Sequence, residues 1–403
     1  MPEYSPAYPL QDQNILLVVT GSVAACKTDR VLRLCQKSGA DVRVLLTEAG
    51  SRFFPPQLAG ALSGNEVFQE SYLQDEPGRM VHIELKQWAD AVLVAPATAN
   101  RLLQLERSVA DDLMSTVLHA FDGPILYAPA MNPDMWNEPR IQRIVQEYSD
   151  CIVVPSEGEM ACGEVGPGRF PPPRRICERL TRILWPDALM GQSWVVSAGP
   201  TREAWDDVRV LTNRSSGKMG RELARVAYWL GADISLVTGA GDSHPETSCY
   251  RVIQVESAQE MMGVLTEVID QNTGYIGAAA VSDYRPVSEP GKIRSGQDEI
   301  SISLEQNPDI LTELRTLYPD GILIGFSVDD REEPSTALEK LEEKQLDAIV
   351  FNPLKQENGG FDAEHNQIYL CYPDGAILNL GRRSKRTLAH QIWIGILNND
   401  ISP

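Results

Sequence analysis

The chain has no Cys-x-x-Cys pair among its seven cysteines and no His-Glu-x-x-His among its five histidines, so the usual ligand spacings of a zinc site are missing. A dispersed, odd set of cysteines fits a reducing compartment, and a cytoplasmic location is expected. Nowhere do about 20 apolar residues run together, the length a membrane-spanning helix needs. Residues 1–13 lack a Lys- or Arg-led apolar stretch and read as a flexible arm, not a signal peptide. Basic residues are also in short supply: 36 Lys and Arg stand against 56 Asp and Glu, a net charge of −20. That balance argues against nucleic acid or an anionic membrane as a partner. An anionic ligand must then be held by local backbone donors and a few placed cations.

What is present is a repeated strand-to-turn signature. The apolar run 15–19 leads into Thr20-Gly21-Ser22, and the run 194–197 leads into Ala198-Gly199-Pro200-Thr201. A strand that ends in glycine and opens a helix leaves N–H groups aimed at an anion. At 403 residues and 43% apolar content, two α/β cores are expected. Strands are predicted at 42–46, 91–95, 125–128 and 152–154. After a break at 185–192 they resume at 234–237, 275–281, 322–326 and 348–351, with a late hairpin of 367–371 and 376–380. A helix whose inner face carries Ala24, Thr28, Val31 and Cys35 follows the first strand. The expected architecture is two doubly wound, Rossmann-like domains, 14–184 and 193–403, joined by the linker 185–192.

Several residues could do chemistry. His82 sits in the alternating segment Val81-His82-Ile83-Glu84-Leu85, where a packing role is the plainer reading. Asn100 and Asn132 end the small-residue turns after the predicted strands 91–95 and 125–128. Cys162 lies in a loop rich in glycine (158, 163, 166, 168), a better place for a reactive thiol than a core. In the second half, Thr212-Asn213-Arg214-Ser215-Ser216-Gly217-Lys218-Met219-Gly220 is no Walker loop, because Thr212 and Met219 replace its first glycine and its Ser/Thr. A simple helix cap at Ser215 and Ser216 competes there with an anion site.

Over residues 14–175 the motifs Gly21-Ser22-Val23-Ala24, Leu62-Ser63-Gly64, His82-Ile83-Glu84-Leu85, Ala95-Pro96-Ala97-Thr98-Ala99-Asn100 and Pro129-Ala130-Met131-Asn132 resemble the phosphopantothenoylcysteine decarboxylases. These are homo-oligomeric flavoproteins that use FMN. The resemblance implies oxidation of the cysteinyl thiol to a thioaldehyde, loss of carbon dioxide, and reduction to phosphopantetheine. It implies that His82 assists oxidation and decarboxylation, Asn132 holds the substrate carboxylate and Cys162 donates a proton. Gly21, Ser22, Thr47, Ala97, Thr98, Asn100 and Met131 become flavin contacts, with Arg169 toward substrate. The segment Arg169-Phe170-Pro171 departs from the family pattern, and altered loop stiffness is expected.

Residues 190–400 are similar to the phosphopantothenate–cysteine ligases, most densely at 197–220 and 278–310. That resemblance implies activation of a carboxylate by CTP with Mg2+ or Mn2+, an acyl-cytidylate, and attack by the amine of cysteine. Asn213 would contact the acyl intermediate, and Asp283 the metal-bound triphosphate. Gly199, Ser215, Ser216, Lys292, Phe326, Lys340 and Lys344 would bind the nucleotide, and Arg209 and Ala280 the substrate. Arg294-Ser295 and Asp329-Asp330 replace family residues, so weaker triphosphate binding is expected. Trimeric contacts in the first domain and dimeric ones in the second are implied. Two alternatives stay open: a decarboxylase with a degenerate ligase half, and a non-enzymatic regulatory subunit on the flavoprotein fold.

Overall fold

The computed structural model describes residues 5–71, 78–107, 109–161, 163–239, 249–287, 291, 301–330, 333–354 and 363–403. Cys162, Lys292, Arg294 and Ser295 lie outside the described residues. The chain divides into two compact units, Met1–Trp185 and Pro186–Pro403.

In the first unit, β1 (Asn14–Val19), β2 (Asp41–Leu46), β3 (Val67–Gln69), β4 (Ala91–Ala97) and β5 (Ile125–Pro129) form a parallel sheet ordered β3-β2-β1-β4-β5. Ile15, Leu17 and Val19 of β1 enter the core on one face of the sheet, and Leu16 and Val18 enter the core on the other. Helices Thr28–Lys37 and Pro173–Leu184 cover the first face; Val81–Trp88, Leu113–Ala120 and Pro139–Glu147 cover the second. A strand buried on both faces has no polar alternate positions, hence the unbroken apolar run. Strand order reverses between β1 and β4, and the crevice beyond their carboxyl ends is where such sheets hold ligands. A hairpin of β6 (Ser156–Glu159) and β7 (Val165–Arg169) follows the sheet.

The second unit carries β8 (Ser193–Ala198), short β9 (Arg202–Ala204) and β10 (Val210–Thr212), then β11 (Asp233–Thr238), β12 (Arg251–Gln254) and β13 (Thr273–Gly277). Next come β14 (Tyr284–Pro286), β15 (Leu304–Gln306), β16 (Leu323–Asp329), β17 (Ala348–Pro353), β18 (His365–Cys371) and β19 (Ile377–Ser384). Eight of these form one sheet ordered β12-β11-β8-β13-β16-β17-β18-β19. It is parallel as far as β17, and β18 and β19 run antiparallel as the expected hairpin. The doubly wound architecture is therefore present in both units.

Four expectations need correction. Residues 5–13 are not a loose arm: Leu10 is buried and its N–H donates to Ser38 O at 2.8 Å, while Pro9 O accepts from the Trp185 indole at 2.8 Å. Residues 152–154 make no strand, only a single parallel bridge from Ile152 to Tyr127. The strand expected at 275–281 stops at Gly277, because Ala280 bridges to Pro200 and its N–H donates to Gly199 O at 2.9 Å. His82 lies on a helix, since Val81 and Leu85 are the buried pair at i and i+4 while Ile83 is only half-buried.

Candidate functional site

In the first unit, the ends of β1 and β5 converge beside the β6–β7 hairpin. The turn after β1 passes so close to Ala49 that a Cβ on Gly21 would lie 2.4 Å from the Ala49 Cβ. Ser22 caps the short helix Val23–Lys27, its oxygen accepting from Ala24 N–H at 3.3 Å. After β5, Asn132 caps Pro133–Trp136 by accepting the Met135 N–H on Oδ1 at 2.9 Å. The Asn132 amide N–H2 is thereby left as a donor for a ligand.

The glycine-rich loop is an ordered hairpin and not the irregular segment its composition suggests. Met131 N–H donates to Gly168 O at 3.0 Å. Gly168 holds φ +108, and a Cβ there would sit 2.4 Å from Met131 O, so only glycine lets β7 approach this closely. Ser22, Met131, Asn132, Gly168, Arg169 and Phe170 line one cavity of about 350 Å³.

Other expected residues of this half lie elsewhere. Thr47 caps the helix Glu48–Ser51, with Gly50 N–H donating to its Oγ1 at 3.0 Å. It lines a second cavity of about 320 Å³ with Glu70, Arg101 and Asp112. Burial pushes the Asp112 carboxyl up, but hydrogen bonds from Ser115 and the Arg101 guanidinium, 2.5 Å away, hold it below its ordinary value. Ala97 is buried, and its carbonyl accepts the Ala130 N–H at 3.0 Å. The Thr98 carbonyl accepts the Arg101 and Leu102 N–H groups, and Asn100 is exposed one residue into the helix Ala99–Arg107. His82, on the first turn of its helix, lines neither cavity.

The second unit gathers its residues more completely. One cavity of about 830 Å³ is lined by Asn213, Ser215, Ser216, Ala280, Asp283, Phe326, Lys340 and Lys344, all expected from the sequence. The helix Lys218–Trp229 begins after Gly217 at φ +68, with no side chain capping it; Ser215 Oγ only accepts the Gly217 N–H, at 3.4 Å. The serine-cap reading therefore fails, and a helix start without a side-chain cap faces the cavity. The Asn213 amide donates to Ala280 O at 3.1 Å and Val281 O at 3.2 Å. Asn307 donates to Ser282 O at 2.8 Å, so two amides pin residues 280–282 over the strand ends.

Lys344 Nζ lies 2.7 Å from Asp309 Oδ2, and Lys340 Nζ lies 3.5 Å from Ser327 Oγ. Burial raises the Asp309 carboxyl, yet Lys344 and the Thr312 N–H together hold it below its ordinary value. In a chain of net charge −20, this cavity is lined by Arg214, Lys218, Lys340, Lys344 and Lys385 against Asp283 and Asp309. That local reversal suits an anionic ligand.

Two expected residues do not line it. Gly199, at φ +75, makes the tight turn that receives Ala280. Arg209 is ion-paired with Asp206 at 3.0 Å and lies over the Trp205 ring at 5.3 Å. Sequence reasoning passed over Asn366 and Lys385, which line the cavity from its far strand and the C-terminal helix. Among the described residues no group of three or more His, Cys, Asp or Glu side chains is placed to hold a metal ion. No described helix is long and apolar enough to cross a membrane.

Residues 3–184 match the family described as Flavoprotein, and residues 189–399 match the DNA/pantothenate metabolism flavoprotein C-terminal domain. Over 390 residues the chain is 36% identical to the Coenzyme A biosynthesis bifunctional protein CoaBC of Bacillus subtilis (strain 168), covering 95% of this chain and 96% of that protein. The protein of the same name from Haemophilus influenzae (strain ATCC 51907 / DSM 11121 / KW20 / Rd) is 38% identical over 391 residues, 94% of this chain and 96% of the relative. A solved C-terminal domain of a protein of this name is 34% identical, covers 53% of this chain and 97% of that domain, and gives a TM-score of 0.44.

Proposed function

This chain belongs to the family of coenzyme A biosynthesis bifunctional proteins, and from that premise we propose what each of its cavities does. The chain is an enzyme of coenzyme A biosynthesis, a flavoprotein that binds FMN and has decarboxylase and ligase activities. The Flavoprotein half, 14–184 in our division, carries the decarboxylase; the half 193–403 carries the ligase.

In the ligase cavity, the carboxylate of phosphopantothenate attacks the α-phosphorus of CTP, releasing pyrophosphate and leaving an acyl-cytidylate. The amine of cysteine then attacks the acyl carbon, forms the amide and expels CMP. Mg2+ would arrive with the triphosphate, whose oxygens supply most of its ligands, and Asp283 would add one. Lys340, Lys344 and the start of the helix Lys218–Trp229 balance the phosphate charge. Asn213 holds residues 280–281 as a rim against the acyl group, and Lys292, outside the described residues, is assigned to binding of the same nucleotide.

FMN would sit at the turn after β1, which Gly21 lets close on Ala49 and where Ser22 adds a hydroxyl. When bound, the flavin supplies the two-electron chemistry without which the carboxylate cannot leave. Asn132 donates hydrogen bonds to that carboxylate without adding a charge that would hold it back. The clasp between Met131 and Gly168 seats the hairpin over the substrate, Arg169 binds it, and Cys162 carries the proton given to the product carbon. His82 serves the same reaction from its helix. We assign trimeric contacts to the first unit and dimeric ones to the second, and a cytoplasmic location, where these small-molecule substrates are at hand.

One observation carries this reading: the second cavity brings eight residues expected from the sequence to a single wall set. Supplying phosphopantothenate, cysteine and each nucleoside triphosphate in turn, then weighing the products, tests it. CTP is expected to give phosphopantetheine, CMP, pyrophosphate and carbon dioxide. No acylated product with any nucleotide would refute the ligase half.

A further inference from the structure

The far end of the ligase cavity holds a feature that the phosphate chemistry does not use. Phe326 and Val328 lie two residues apart on β16, and Val328 pairs with Asn352 on β17. Asn366 and Ile368 lie two residues apart on β18, so each pair shares one face of the sheet. The Lys385 N–H donates to Glu364 O at 3.0 Å, which sets the start of the C-terminal helix beside the start of β18. Phe326, Val328, Asn352, Asn366, Ile368 and Lys385 line the cavity.

Asn366 is 4% exposed and Lys385 is 5% exposed. Asn366 Oδ1 is buried and makes no hydrogen bond. A buried carbonyl oxygen left without a donor is costly, so its presence in a cavity wall calls for a ligand that supplies one. Phosphate oxygens only accept, and the apolar surface of Phe326, Val328 and Ile368 is a poor bed for a triphosphate. The wall suits a flat or compact group carrying an N–H beside an acceptor, the acceptor facing the Asn366 amide N–H2 or the Lys385 ammonium.

We propose that Asn366 and Lys385 form a recognition subsite of the ligase cavity that takes an amide-like edge, an N–H next to a carbonyl or ring-nitrogen acceptor. This rests on the ligase reading above. Two of the proposed substrates carry such an edge: the aminopyrimidine of CTP and the amide of the pantothenoyl group.

The test measures binding of CTP, UTP and phosphopantothenate separately, by calorimetry on the full chain, for the wild type, Asn366→Leu, Asn366→Asp and Lys385→Met. Asn366→Leu should weaken one of CTP or phosphopantothenate by about tenfold or more, as loss of a buried hydrogen-bonded edge does, and leave the other unchanged. Asn366→Asp, which keeps an acceptor for the N–H, should recover part of that loss. A mere packing defect would not. Lys385→Met should weaken the same ligand as Asn366→Leu. If the base is the source, CTP and UTP, whose uracil also carries an N–H beside a carbonyl, weaken together while phosphopantothenate is held; if the pantothenoyl amide is, phosphopantothenate alone is lost. Equal losses for both ligands, or none, overturn the subsite while leaving the ligase reading in place. A wild type that binds neither CTP nor phosphopantothenate sinks the ligase reading, and the subsite with it.

Discussion

The two units solve one problem differently. Each carries a sheet whose strands run parallel around its first strand, where the strand order reverses, and each puts a glycine turn at that strand's end. In the second unit the expected residues meet around one cavity. In the first they divide: Ser22, Met131, Asn132 and Arg169 share one cavity, Thr47 lines another, and His82 and Asn100 sit on helices lining neither. Thr47, just past β2, lines a different cavity from Ser22, just past the neighbouring β1, although strands about 5 Å apart bring their end residues near one another. Residues carried by covering helices have no such guarantee. The proposed ligase site is the more tightly determined by its own fold, and the proposed decarboxylase site depends more on how one hairpin is seated.

That contrast can be broken at the hairpin first. Gly168→Ala forces a Cβ to within 2.4 Å of Met131 O at a left-handed φ of +108. Strain of this kind is worth about 1–3 kcal/mol, so decarboxylation of phosphopantothenoylcysteine should slow about ten- to a hundredfold. CMP release by the ligase should not change. Equal loss of both activities would mean that the variant unfolds more than the hairpin.

A smaller effect is expected at the rim of the second cavity. Asn213→Ala leaves the Val281 carbonyl without its side-chain donor and the Ala280 carbonyl with only the Thr201 N–H at 3.3 Å. Loss of about tenfold in ligase kcat/KM is expected, with decarboxylation of supplied phosphopantothenoylcysteine untouched. A decarboxylase that falls in parallel would tie the two sites together in a way this account does not allow.

The smallest effect concerns pH. Asp309 titrates below the ordinary carboxylate value in the folded chain, burial raising it but Lys344 and the Thr312 N–H lowering it further. A depressed folded value means that its contribution to stability is complete above the unfolded value, about 3.9. The contribution fades as pH falls through the folded value. Lys344→Met removes the main opposing influence to burial, so its acid-unfolding midpoint should move to higher pH than that of wild type. A midpoint that stays put would show that the Lys344–Asp309 pair does no such work.

Much of this was legible from the chain. β1 and β8 announce themselves because both faces are buried and each ends at a glycine turn. What stayed hidden has physical reasons. The segment at 81–85 satisfies both a period of two and a period of four over its few residues, and only burial of Val81 and Leu85 decides for helix. The edge strands β3 and β12 are three and four residues long, too short for a periodic signal. The glycines at 158, 163 and 168 read as looseness, yet each takes the positive φ of an ordered hairpin. Asn366 and Lys385 are isolated polar residues in the sequence, and only the order β16-β17-β18 brings them to the cavity.

The claim that two separate cavities perform successive steps is tested most directly by Cys162→Ser fed with phosphopantothenate, cysteine and CTP. Release of CMP and consumption of cysteine should match the wild type while formation of phosphopantetheine drops by two orders of magnitude or more, about what loss of a proton donor costs. Unchanged phosphopantetheine, or a CMP yield that collapses with it, would contradict the account.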